Sequence, residues 1–248
     1  MVVKAVNPDQ LIVRNLMITG TKYLKKRKKM KVTLLDHTHD PVSLIGEAAA
    51  ICYDAKTDRE SNIKRAKHCK SKGHLSTLRF AYATFNIKGI SRVCSHQLVR
   101  IAHAGILQES QRYVEQTDIQ WTIPPGMQDS NVAIFLQHAE NLYNNLIDSG
   151  VKKEDARYVL PQACNTQLNV TMNFQGWRDF LTLRTSKSAQ WEIRDVAVEI
   201  QRQLAEIAPE IFIDMAIAKA KEQSCSTLCH PEEECFITES GKCEAKGE

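Results

Sequence analysis

The chain has 248 residues, 43% of them hydrophobic and 25% charged, enough to bury a sizeable core in one large domain or two small ones. It contains no run of about eighteen apolar residues, which argues against a membrane-spanning helix. Its net charge of +4 is uneven: residues 1–29 carry eight Lys or Arg against Asp9, a net +7, and the remainder is mildly acidic at −3, a balance that does not suit wrapping a nucleic acid.

Residues 1–29 lack the layout of a secretory signal, because the basic cluster KKRKK follows the apolar stretch instead of preceding it. They read as an extension or a misassigned start, and MKVTLLDH from Met30 reads as an opening, with a strand over Lys31–Asp36. Pro41 opens a helix through Val42–Tyr53, with Leu44, Ile45, Ala48, Ala49 and Cys52 at helical spacing. Arg59–Lys72 reads as a polar, basic helix stopped by Gly73. The alternation in FAYATFNIKGI predicts a strand over Phe80–Ile90. Ser91–Arg100 predicts a helix that sets Gln97 and Arg100 three apart, on neighbouring turns. Gly105 argues for a loop or turn within Ile101–Tyr113. Pro124-Pro125-Gly126 marks another turn, followed by an amphipathic helix over Asn131–Asp148 and a short one around Glu154–Tyr158. Gln167–Asn173 is rich in strand formers; Gly176–Leu183 and Ala189–Ile207 predict helices, and Phe212–Glu222 closes the fold. No repeat or linker interrupts residues 30–222, so they are expected to form a single α+β domain between the basic extension (1–29) and a Cys-rich tail (223–248).

Eight cysteines without a secretory layout point to a reducing, cytoplasmic compartment. Cys52, Cys69, Cys94 and Cys164 are expected to pack as small hydrophobes. The tail gathers Cys225, Cys229, His230, Cys235 and Cys243. Thiolates so close can bind zinc, but the spacing C-x3-C-H-x4-C-x7-C matches no common finger, and a solvated tail with free thiols is the plainer reading.

Glycine-rich phosphate loops, a GxSxG elbow and an HExxH zinc pair are all missing from the sequence. What it offers instead is a spread of arginines beside apolar or turn positions: Arg100, Arg112, Arg157 and Arg184. A guanidinium is a planar fork of donors that suits phosphate and base carbonyls. Ser110 stands two residues before Arg112, so an extended segment would aim both side chains to one side as a phosphate clamp. The competing reading is that these arginines snorkel from helix faces or pair with Glu109 and Glu115. His74, after Gly73, is either an exposed turn residue or a ring positioned at a pocket mouth.

Taken in order, MKVTLLDH, EAAAICYD, GHLSTLRFAYATFNIKGISRVCSHQLVR, QESQRY, ARYVLPQA and LTLRTSKSAQWEIR resemble the flavin-dependent thymidylate synthases over Met30 to about Phe212. The family motif R-H-R-x-x-S-x-x-x-x-S-x-R-Y matches at Arg100, Ser110, Arg112 and Tyr113, while Ile101, Ala102 and Gly105 replace its histidine, second arginine and first serine. The resemblance implies a central, mostly antiparallel sheet with flanking helices, and a homotetramer whose active sites lie where subunits meet. It implies FAD, with NADPH as reductant and methylenetetrahydrofolate as carbon donor, converting dUMP to dTMP. By the same resemblance Gln97, Arg100, Ser110, Arg112, Arg157 and Arg184 hold dUMP. Arg184 is the expected catalytic residue, and Arg157 comes from a different part of the chain or from a neighbouring subunit. The positions that would hold FAD are His74, Ser76, Arg100, Asn173, Gln175, Asp179 and Ser188. Two charge-assisted hydrogen bonds lost at Ile101 and Ala102, each worth about 1.5–3 kcal/mol, would weaken flavin binding by a hundredfold or more. A pyrimidine-nucleotide-binding paralogue without flavin catalysis, and a flavoenzyme acting on another pyrimidine nucleotide, are the competing functions. No protein nucleophile is needed in the family's chemistry, which agrees with the missing Cys-His and Ser-His pairs.

Overall fold

The structure is a computed structural model that describes residues 30–127 and 129–215, together with the backbone of 235–237 and 243–245. The basic extension lies outside the described residues, as do Cys225, Cys229, His230 and the side chains of Cys235 and Cys243. Four strands form an antiparallel sheet in the order β1-β2-β4-β3: β1 (Lys31–His37), β2 (Tyr82–Ser91), β3 (Gly105–Gln108) and β4 (Asn165–Asn173). Among the described residues the sheet is accompanied by helices α1 (Pro41–Ala50), α2 (Arg59–Ser71), α3 (Arg92–Leu98), α4 (Ser130–Asp148), α5 (Lys153–Ala156), α6 (Phe174–Arg184) and α7 (Trp191–Ile207). Residues 209–215 are also helical. Among the described residues no helix is long and apolar enough to cross a membrane.

Period-two patterning makes the central strands. Ala83, Phe85 and Ile87 of β2 are buried, as are Leu168, Val170 and Met172 of β4. The residues between them turn the other way and pair across the strands: Thr84 with Thr171 at 2.9 Å, Asn86 with Asn169 at 2.7 Å. Two pairs whose numbers shift in opposite directions fix an antiparallel register, and such polar pairs suit a sheet face that is not packed.

The chain divides into two compact units, and β2 and β4 each contribute residues to both. Of the described residues, one unit comprises 30–33 together with Phe85–Val170. Its core gathers Ile119, Trp121, Ile123, Leu136, Tyr143, Ala156 and Cys164. The Tyr143 hydroxyl inside that core accepts the Gln116 N–H at 3.1 Å, which gives the buried phenol oxygen a hydrogen-bond partner.

The other unit comprises Leu34–Thr84 and, of the described residues that follow, those from Thr171 to 215. Two of its helices carry side-chain caps: Asp58 accepts from Ser61 N at the start of α2, Asn173 from Gly176 N at the start of α6. Trp177 is fully buried and donates Nε1–H to the Ala83 carbonyl at 3.0 Å; Phe174 meets Phe212 edge-on at 5.1 Å. Lys70 and Arg178 converge on Asp214 at 3.0 and 3.3 Å, tying α2, α6 and the 209–215 helix together.

Five expectations need correction. A four-residue strand, β3, occupies Gly105–Gln108, where a loop or turn was expected. Helix α3 ends at Leu98, so Arg100 lies beyond it, in a turn. Cys52 is exposed, whereas Cys69, Cys94 and Cys164 are buried. Leu44, too, faces outward from α1, because the buried stripe runs through Val42, Ile45, Gly46 and Ala49. The tail, finally, contains a hairpin, β5 (Cys235–Ile237) with β6 (Cys243–Ala245), that composition did not signal.

Candidate active site

In the first unit Ser91 caps α3, its hydroxyl accepting from Cys94 N at 3.0 Å. The cap sets the start of a helix that carries Gln97, half-buried, near its C-terminal end. Arg100 follows in an exposed turn and has no ion pair or side-chain hydrogen bond among the described residues. His103, the nearest histidine to the one missing at Ile101, is exposed and held at φ 62, the left-handed region that side-chain-bearing residues seldom occupy. From there the chain enters β3 and then Ser110.

Ser110 to Arg112 is a turn, not the extended segment that would point both side chains one way. The Ser110 hydroxyl accepts the Arg112 N–H at 3.2 Å, and its carbonyl accepts from Val114 N at 2.9 Å. The Arg112 guanidinium swings to Glu154, with Nε 2.6 Å from Oε2, and lies 5.4 Å over the Tyr113 ring. It pairs with neither Glu109 nor Glu115: Glu109 accepts from Gln167 at 2.7 Å and Glu115 meets Lys153 at 3.4 Å. Arg157, one residue past α5, donates its Nε–H to the Glu154 carbonyl at 3.0 Å. The structure therefore brings Arg112 and Arg157 together on one residue of the same chain. Beside them Arg112, Tyr113, Lys152, Lys153 and Glu154 line a surface depression of about 400 Å³.

Two participants were not singled out by sequence reasoning. Glu154 is separated from Arg112 by 42 positions, a contact that no spacing rule reaches. Arg92, the first residue of α3, has a buried Nη1 without a partner; burial pushes its guanidinium below its ordinary value, and nearby Arg157 adds to the push. Its neighbour Cys164 is a buried thiol whose pKa burial lifts to about 11, so it stays protonated near neutral pH.

The second unit holds Arg184 and every flavin position except Arg100. Arg184 ends α6, and its Nε is buried without a hydrogen-bond partner. Asn173 spends its Oδ1 on capping α6 at 2.8 Å, which leaves its amide NH2 for a ligand. Gln175 donates to Asp179 at 2.7 Å while its own Oε1 is buried and unpartnered. His74 and Ser76 are exposed at the start of a short 3-10 helix over Leu75–Phe80, and Ser188 is exposed and hydrogen-bonded to Ser186 at 2.9 Å.

Buried donors and acceptors without partners are costly unless a ligand completes them. Gln175 Oε1 and Arg184 Nε are two such atoms, at opposite ends of α6; Gln175 Oε1 and the free Asn173 amide offer polar groups to a ligand at the start of the helix, Arg184 Nε at its end. The side chains of Ile101 and Ala102 contribute no donor.

A four-stranded antiparallel sheet accompanied by helices makes this an α+β protein, and sequence comparison makes its family specific. The chain belongs to the thymidylate synthase complementing protein family, whose profile matches residues 33–210. Among its relatives is a protein named flavin-dependent thymidylate synthase from Geobacter sulfurreducens, 40% identical over 200 residues, covering 75% of this chain and 86% of the relative. Proteins of the same name from Clostridium tetani and Pyrococcus furiosus are 35% and 36% identical, covering 75% and 71% of this chain and 87% and 79% of the relatives.

Proposed function

We propose that the protein is an FAD-dependent thymidylate synthase, a methyltransferase that converts dUMP to dTMP with methylenetetrahydrofolate as carbon donor and NADPH as reductant. The observation that carries this reading is the meeting of Arg112 and Arg157 on Glu154, with the terminal nitrogens of both guanidinium groups left without a partner among the described residues. A dianionic phosphate suits that pair of forks.

Gln97, Arg100, Ser110, Arg112 and Arg157 bind the nucleotide in this reading. Arg184 faces the pyrimidine and stabilises the negative charge that develops on its ring, from a buried Nε that has no other partner. His74, Ser76, Arg100, Asn173, Gln175, Asp179 and Ser188 hold FAD, which when bound supplies the hydride. The protein's share of the reaction is to orient the nucleotide and stabilise its charge; none of its thiols or hydroxyls attacks the ring. Cys164, buried and protonated, agrees with that assignment. A homotetramer in the cytoplasm completes the proposal.

Ile101 and Ala102 favour a second reading, a nucleotide-binding paralogue that does not retain flavin. Purified protein decides between them. A flavin spectrum near one FAD per subunit with dTMP formed from dUMP supports the enzyme. Colourless protein that binds dUMP but cannot be reconstituted with FAD overturns it, and turnover on UMP or dCMP instead would reassign the substrate.

A further inference from the structure

Glu154 meets both arginines of the nucleotide grip, by two different groups. Its carboxylate takes Arg112 at 2.6 Å and its main-chain carbonyl takes Arg157 at 3.0 Å. In each case the bond falls on Nε, at the inner edge of the guanidinium. Nη1 and Nη2 of both residues have no hydrogen-bond partner among the described residues, so each fork keeps its outer pair of donors for an oxyanion. Tyr113 lies beneath the Arg112 guanidinium and restrains it further.

This ion pair is too exposed to matter much for stability: the Arg112 side chain is 56% exposed and that of Glu154 34%. Its consequence is order. An arginine that is already docked has given up its rotamer freedom before the phosphate arrives, and a free one gives it up on binding. The carboxylate also repels the incoming phosphate, an effect of opposite sign. A test must separate the two.

We propose that Glu154 is a positioning residue that presets Arg112 and Arg157 as a two-guanidinium grip for the nucleotide's phosphate, an inference that rests on the reading of the chain as a dUMP enzyme. Glu154→Gln removes the charge but keeps an oxygen to accept from Arg112 Nε. Glu154→Ala removes both. The two variants are equally neutral, so the lost repulsion cancels between them, and both keep the main-chain carbonyl for Arg157. Calorimetric titration with dUMP and with deoxyuridine, alongside steady-state kinetics, reads the difference. Glu154→Ala is expected to bind dUMP about tenfold more weakly than Glu154→Gln, about 1.4 kcal/mol, with KM rising by the same factor and kcat within about twofold. Deoxyuridine, which lacks the phosphate, should bind all forms alike. Equal dUMP affinity in the two variants overturns the proposal, as does an equal loss for deoxyuridine, which would mark a merely structural role. Wild-type protein that binds no dUMP overturns the functional reading instead.

Discussion

Gly46 lies buried in α1 against α2, and the sequence there allows no side chain. A Cβ built on it would stand 1.8 Å from the Asn62 carbonyl oxygen, 2.4 Å from its carbon and 2.7 Å from its Cα. Real Cβ contacts hardly ever fall below 3.0 Å, so Gly46→Ala requires the helices to part by about 1.2 Å. The obstacle is backbone, not a side chain that can rotate away. Arg65 also stitches this contact, donating to the Gly46 carbonyl at 3.0 Å and to Asn62 Oδ1 at 2.9 Å. Two terms then compete. Alanine favours a helix interior over glycine by about 0.8–1.0 kcal/mol, while overpacking a close contact costs about 1–3 kcal/mol, and a backbone clash belongs at the upper end. The net is a loss of about 2 kcal/mol, or about 4–8 °C in Tm for a domain of this size. Calorimetry of the wild type and variant measures it. Gly176→Ala in the first turn of α6 is the control, because a Cβ there meets nothing nearer than Met172 Cβ at 3.4 Å. That change should be neutral or slightly stabilising. A Gly46→Ala protein that melts at or above the wild-type temperature would refute the argument, since helix propensity alone predicts that sign.

Arg184→Ala should lower kcat by about 100-fold or more, the scale of losing one preorganised charge-stabilising donor, with unfolding unchanged; near-normal turnover removes Arg184 from the site. Restoring the motif with Ile101→His and Ala102→Arg should tighten FAD by tenfold or more, on the scale of one or two charge-assisted hydrogen bonds, without changing dUMP affinity; fluorescence titration of the apoprotein reads both. At Asp214 burial raises the carboxyl pKa, but hydrogen bonds from Arg178 and Lys70 outweigh it and hold the group below its ordinary value. A carboxyl depressed in the folded state stabilises above its unfolded pKa and loses that contribution as pH falls through the folded one. Asp214→Asn should therefore cost about 1 kcal/mol at pH 7, allowing for solvent screening, and nothing in strong acid, so urea midpoints of the two proteins should converge as pH falls. Iodoacetamide at neutral pH should label exposed Cys52 and spare buried Cys164, whose thiol is pushed up to about 11; peptide mass spectrometry showing the reverse would contradict the burial.

Most elements were legible because their signals are local. Pro41, Gly73 and Gly150 punctuate helices, and β2 alternates buried and outward residues from Tyr82 to Lys88, up to the break at Gly89. Strand β3 escaped for the opposite reason. It is the edge of the sheet, four residues long, with alternating exposed and half-buried positions, and it is paired on one side only. Its place is fixed by β4, through bonds such as Glu109 N to the Gln167 carbonyl at 2.9 Å, which link residues far apart in sequence. The turn at Ser110 was hidden similarly. A Ser two residues before an Arg suits both an extended clamp and a hydroxyl that accepts its neighbour's N–H, and only the second occurs.

The site divides along the same line between local and distant information. Arginines were recognisable as candidate anion ligands from their chemistry, but what holds them is not written near them. Arg112 depends on Glu154, and Glu154 read from sequence is one acidic residue in a short, charged helix. Its importance comes from tertiary placement, which lets one carboxylate and one carbonyl serve two guanidinium groups. The flavin positions show the converse. Asn173 caps α6, and that local duty consumes Oδ1, an atom that could otherwise serve a ligand. Only the amide NH2 remains for binding. Ile101 and Ala102, which depart from the family pattern, lie in the exposed turn after α3, whereas Arg112 and Arg157 are fixed through Glu154 and α5. No described hydrogen bond or ion pair links that turn to either arginine, so under the proposed function a loss of donors there should weaken FAD binding and leave dUMP binding unchanged.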